Sequence, residues 1–120
     1  TIDLLEKEYI QNAVEVGDYT LQILRQMQVV HPSIGDVRGK GLMIGVEFVK
    51  DRSTREADIP LRDAVVENAF RHGLLLLGCG SSVIRIAPPL CVTRREVDEA
   101  MAIFDQAITM AERGTVPVAA

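Results

Sequence analysis

The segment Ile84-Arg85-Ile86-Ala87-Pro88-Pro89-Leu90 constrains this chain more than any other. It places one arginine inside an otherwise apolar strand, and a double proline, which lacks the amide donors a ladder needs, ends that strand. A guanidinium is seldom buried without a partner. Its five fixed donors match a carboxylate in two-pronged fashion, so this strand end is expected to recognise an anion, either a protein Asp or Glu or a bound substrate. The plainer reading of Arg85 is a partly exposed strand residue paired to a neighbouring acid.

The rest of the pattern surrounds that strand with helices. Ile2, Leu5, Tyr9, Ala13, Val16, Ile23 and Met27 keep helical spacing on one face of a long segment that Gly17 weakens in its middle. His31-Pro32-Ser33 punctuates the chain, and Ile34 to Lys40 leads through Gly39 and Gly41, a bulge or close backbone approach, into the continuous apolar stretch Leu42 to Val49, which reads as a largely buried strand. Lys50 to Asp58 is a charged loop. Asp58 caps a second helix with Pro60 in its first turn and Leu61, Val65 and Ala69 on one face, running to about His72 with Gly73 at its C-terminal end. Leu74 to Leu77 follows as a short buried strand, Gly78 to Ser82 as a turn, and Val83 to Ala87 as the returning strand. Thr93-Arg94-Arg95-Glu96 is a capping box, and Val97, Met101, Phe104, Ile108 and Ala111 form the apolar stripe of a last helix. The order helix, strand, helix, strand, strand, helix predicts an α+β fold, a two-layer small domain with its helices packed on one face of a small, mainly antiparallel sheet. It covers residues 1–114, and the patternless tail 115–120 is expected to be disordered.

Composition narrows the function classes. At 120 residues the chain has the size of one domain. Acids are interspersed among bases to a net charge of -4 and aromatics make up only 4%, so neither the electrostatic footprint nor the stacking platforms of a nucleic-acid binder are present. No secretory signal or membrane span is legible, so no membrane partner is expected. The two cysteines, Cys79 and Cys91, have no ligand spacing and fit free thiols packed in a reducing cytoplasm. The chain opens on Thr1 and runs straight into a helical pattern, as a segment of a longer protein would.

Other candidate residues read as structural. Lys40, in Arg38-Gly39-Lys40-Gly41, lacks phosphate-loop spacing and a following helix, and is expected to be a solvated loop lysine. Cys79 has no base in view to activate it, and the glycines beside it serve a turn. His31 precedes a proline, and His72 sits at a helix end where a cation suits the dipole. Glu47, within an apolar strand, wants a basic partner that Arg38 or Arg85 could supply. No metal cluster or catalytic set of side chains emerges.

Taken together and in this order, Asp36-Val37-Arg38-Gly39-Lys40-Gly41-Leu42-Met43-Ile44-Gly45-Val46-Glu47-Phe48, Gly73 to Leu77, Ile84 to Leu90 and Thr93 to Glu96 resemble the C-terminal small domain of class III pyridoxal-phosphate aminotransferases, the group of the 4-aminobutyrate, ornithine and acetylornithine enzymes. The resemblance extends over residues 1 to 112. It implies a cofactor, pyridoxal 5'-phosphate, that acts as electron sink and is held by a lysine, an aspartate and a phosphate cup in a large domain upstream. Lys7, Lys40 and Lys50 are the only lysines here, and none lies in the family's aldimine motif, so no catalytic or cofactor-binding residue carries over and the segment alone is expected to bind no cofactor. Arg85 does carry over. By resemblance it binds the α-carboxylate of glutamate or 2-oxoglutarate, and in ω-amino-acid enzymes its counterpart pairs with an upstream glutamate when the other substrate is bound.

The function so implied is transfer of an amino group from a 4-aminobutyrate-like ω-amino acid to 2-oxoglutarate. The full-length enzyme would be a cytoplasmic homodimer or higher homo-oligomer with amino and oxo acids as substrates, and this segment would pack against the large domain of its own polypeptide, inactive alone. Two alternatives stand beside it: a free-standing α+β amino-acid-binding or regulatory module, and a purely structural dimerisation domain. About 300 residues of α/β sequence preceding Thr1 in the gene would discriminate for the first.

Overall fold

The computed structural model describes residues 2–80, 82–88 and 92–114, with side chains from residue 6 onward. In chain order these form α1 (Ile2–Val30), β1 (Ile34–Lys40), β2 (Met43–Asp51), β3 (Glu56–Ala57), α2 (Ile59–Arg71), β4 (Leu77–Cys79), β5 (Val83–Ile86) and α3 (Arg94–Glu112). Pro89, Leu90, Cys91 and the tail 115–120 lie outside the described residues, as do the side chains of Ile2 and Leu5.

The caps stand where residue chemistry puts them. Thr93 accepts the amide of Glu96 while the Glu96 side chain takes the Thr93 amide, the reciprocal pair that starts α3. Asp58 caps α2 by accepting from the Leu61 amide, and Gly73, at φ +91, turns the chain away after that helix. All five stripe residues of α3 are buried, and Phe104, fully buried, meets Phe48 edge to face with ring centroids 6.5 Å apart.

The sheet is antiparallel in the order β1-β2-β5-β4, with β3 pairing the far end of β2. All three helices contribute to one core against a single face of it, the expected two-layer α+β architecture. On that face Ile44, Val46, Phe48, Ile84 and Ile86 are buried.

Several elements differ from the sequence expectation. The segment Ile34–Lys40 is a strand rather than a lead-in, forming a hairpin with β2 across Gly41 and Leu42. Only Ile34 and Val37 of this edge strand are buried, and its glycines and charges hide its β character. The strand Met43–Asp51 is largely buried as expected but alternates up to Phe48, with Ile44, Val46 and Phe48 inward and Met43, Gly45 and Glu47 away from the helices, and Val49 is buried after them. The leucine run does not form a buried strand. Leu76 is buried, but Leu75 and Leu77 are 73% and 63% exposed, and pairing with β5 begins only at Leu77. Tyr9, placed on the buried stripe of α1, is exposed, while Val16 and Met27 of that stripe are buried together with Leu21 and Leu24, which the spacing did not mark.

Gly17 has a positive role that helix propensity conceals. A Cβ at this position would stand 2.1 Å from the carbonyl oxygen of Gly41, so its absence lets α1 cross the β1–β2 turn.

Candidate functional site

Strand register gathers the open face of the sheet around one row. Arg38 lies opposite Gly45, Gly45 opposite Arg85, and Arg85 opposite Leu77, so one residue from each of β1, β2, β5 and β4 lies side by side on the face turned away from the helices. The neighbouring row is Asp36, Glu47, Val83 and Cys79. With strands spaced about 4.8 Å apart, the Arg38 and Arg85 backbones are separated by about 10 Å with a glycine between them. A hollow of about 370 Å³ is lined there by both arginines and by Gly45, Met43, Cys79 and Val83. A second hollow of about 360 Å³, largely apolar and walled by Leu76, Val97 and Met101 among others, also reaches Arg85.

Arg85 is exposed, because alternation along β5 sends Ile84 and Ile86 into the core and the arginine the other way. Among the described residues no carboxylate pairs with it, and its Nη2 donates to Cys79 Sγ at 3.8 Å. Of the two arginines expected as partners for Glu47, it takes Arg38. Glu47 is part-buried and lies 3.7 Å from Arg38 Nη2, while Arg38 Nη1 also donates to Asp36 Oδ2 at 3.1 Å. Arg85 therefore presents a fork of donors toward the open side, the chemistry a carboxylate ligand requires.

The remaining sequence candidates fall into structural roles. Lys40 is exposed at the end of β1. Cys79 is a free thiol of intermediate exposure on the wall of the hollow. The His72 ring meets the Asn68 carbonyl at 2.8 Å, closing the last turn of α2. His31 is buried with one ring nitrogen 2.5 Å from Asp105 Oδ1 and the other 2.6 Å from Glu112 Oε1. Burial pulls its pKa down, but the hydrogen bonds and charges of the two carboxylates outweigh that and hold it above the ordinary value. Ser33 donates to the second oxygen of Glu112, and Arg52 donates to the carbonyls of Gln28, His31 and Ile34, so the cluster clamps the end of α1 to α3. No signal in the sequence pointed to this clamp, because its acids lie more than seventy residues from the histidine. The pairing of Arg38 with Gly45 in one row was also missed, although a glycine inside an apolar strand was its visible trace. Among the described residues no group of His, Cys, Asp or Glu side chains is gathered as metal ligands, and no helix is long and apolar enough to cross a membrane.

A family model described as aminotransferase class-III matches residues 1–108. The chain belongs to that family. Isoleucine 2-epimerase of Lentilactobacillus buchneri is 37% identical over 119 residues, covering 98% of this chain and 26% of that protein. Taurine–pyruvate aminotransferase of Bilophila wadsworthia is 37% identical over 123 residues, covering 93% of this chain and 26% of that protein. The fold is similar to that of a transaminase obtained by directed evolution through ancestral reconstruction, with a TM-score of 0.84 and 32% identity over 94% of this chain and 26% of the other. The chain thus spans about a quarter of the length of these relatives. Class III aminotransferases use pyridoxal phosphate, and the residues of this chain do not fit it. Its three lysines are exposed, Lys50 lies 3.7 Å from Glu56, and none lines a hollow at Arg85.

Proposed function

We propose that this chain is the small domain, residues 1–114, of a longer pyridoxal-phosphate aminotransferase, and that Arg85 is its substrate-binding residue. The observation that carries the reading is an exposed strand guanidinium with no carboxylate partner among the described residues, facing a hollow on the open side of the sheet. The cofactor, which when bound serves as electron sink for the substrate carbanion, and the lysine that holds it are assigned to the rest of the polypeptide. Arg85 binds the carboxylate beside the reacting carbon and so fixes which way the amino or oxo group points, the orientation from which much of the rate derives. Hydrophobic side chains left in solvent by this chain, including Ile10, Val14 and Leu75, offer surface for the remainder of the protein.

The substrate pair is the finer part of the proposal. Isoleucine and pyruvate, named in two relatives, share a carboxylate next to the reacting carbon, as does 2-oxoglutarate. An α-carboxylate is therefore the group assigned to Arg85, and 4-aminobutyrate with 2-oxoglutarate is one pair to test within that class. The same proposal makes the full protein a cytoplasmic homodimer or larger homo-oligomer, which light scattering on the purified enzyme and fractionation of cells test directly.

The decisive experiment is on Arg85 in the full-length protein. Arg85→Ala should lower kcat/KM for an α-carboxylate substrate by roughly 30- to several-thousand-fold, the range for truncating one partner of a desolvated charged pair, about 2 to 5 kcal/mol. Arg85→Lys should also be impaired, because it keeps the charge and loses the fork. The loss should be smaller in the half-reaction with 4-aminobutyrate, which has no α-carboxylate. Equal losses with both substrates would remove the recognition role.

A further inference from the structure

Most of the nine glycines meet a constraint from the chain itself: four take positive φ, backbone or core side-chain atoms stand within 3.0 Å of the place a Cβ would occupy at three more, and at Gly78 the movable end of Arg62 does. Gly45 is the exception. A Cβ there meets only Val83 Cγ1, at 3.6 Å, an ordinary contact, and its φ is not positive. It nevertheless sits in the middle of β2, where glycine weakens a strand and a β-branched residue would strengthen it. A strand glycine that no internal contact demands marks the approach of a ligand or of another backbone.

Its neighbours select between these. On the open face Gly45 lies directly between Arg38 and Arg85, and all three line one hollow. Arg38 is paired with Asp36 and Glu47, so the donors left for a ligand at this gap are those of Arg85. A gap beside a guanidinium that no described carboxylate pairs suits an anion. We propose that Gly45 is a specificity-determining residue of the carboxylate site: its missing side chain keeps open the space in which the α-carboxylate of an amino or oxo acid lies against the sheet to reach Arg85. The inference rests on the Arg85 reading above. A larger residue at 45 would occupy that space without disturbing the domain.

The test uses the cofactor-loaded full-length protein and three variants, Gly45→Ala, Gly45→Val and Arg85→Lys. Dissociation constants for pyruvate, 2-oxoglutarate and 4-aminobutyrate are measured by calorimetry beside the thermal midpoint. Gly45→Val should weaken both oxo acids on the order of tenfold or more, the scale of one or two misplaced methyl groups, with Gly45→Ala intermediate. Binding of 4-aminobutyrate should be unchanged and the midpoint equal or higher. If Gly45→Val binds both oxo acids normally while Arg85→Lys does not, the Gly45 proposal fails and the Arg85 reading stands. If neither variant weakens the oxo acids, or the parent binds neither acid, both fail. Equal weakening of all three compounds, or a lowered midpoint, would mean that Gly45 receives another backbone, and the proposal falls.

Discussion

Helix propensity and tertiary contact give opposite signs for Gly17→Ala. Alanine in a helix interior is favoured over glycine by about 1 kcal/mol, so α1 considered alone should gain. The new Cβ, however, would lie 2.1 Å from the Gly41 carbonyl oxygen, and Gly41 Cα would stand only 3.0 Å away. Ordinary contact requires the helix and the β1–β2 turn to separate by about 1 Å, and a backbone carbonyl has no rotamer through which to yield. Overpacking of this kind costs about 1 to 3 kcal/mol and more where backbone must move, which outweighs the propensity gain and leaves a net loss of about 2 kcal/mol. In urea, with a slope of about 1 to 3 kcal/mol per molar, the unfolding midpoint of the 120-residue chain should fall by about 1 M. Gln22→Ala on the exposed side of the same helix provides the control and should change stability by less than about 0.5 kcal/mol. A higher midpoint for Gly17→Ala, followed by far-ultraviolet circular dichroism, would refute the close crossing of α1 over the turn.

Phe104→Ala removes a fully buried ring that packs on Phe48, and should lower unfolding free energy by about 3 to 5 kcal/mol in denaturant titration. Thr93→Ala deletes the acceptor for the Glu96 amide and should lose about 1 kcal/mol by the same measurement. His31 has a folded pKa above its ordinary value of 6.5, so its contribution is fully present below pH 6.5 and disappears as pH rises through the folded value. Midpoints measured across that range should descend with pH, and His31→Gln should abolish the descent. An unchanged pH profile in His31→Gln would show that the clamp to Asp105 and Glu112 does not hold a proton.

Local chemistry made much of the domain legible. The capping box at Thr93 and Glu96, the Asp58 cap and the apolar stripe of α3 depend on residues within a few positions of one another, and each appears where spacing put it. The strand holding Arg85 was legible for the same reason, and the resemblance made a carboxylate its expected ligand. What spacing misjudged depended on partners distant in sequence. The edge strand β1 takes its β form from a hairpin with β2 despite a sequence of glycines and charges. Leu75 is exposed because pairing along β4 begins only after it, and Leu77 because register sets it beside Arg85 on the open face.

The sequence by itself determined the helix starts, the two-layer α+β class and the presence of one arginine in an apolar strand, because these follow from short-range periodicity and capping. Only the tertiary structure decided that Arg85 faces outward while Glu47 pairs with Arg38, that Gly17 is a crossing point, and that His31 is clamped by two acids of α3. Each of those outcomes is set by strand register or helix packing, which brings together residues tens of positions apart, and no local pattern encodes which face or which partner a side chain will meet.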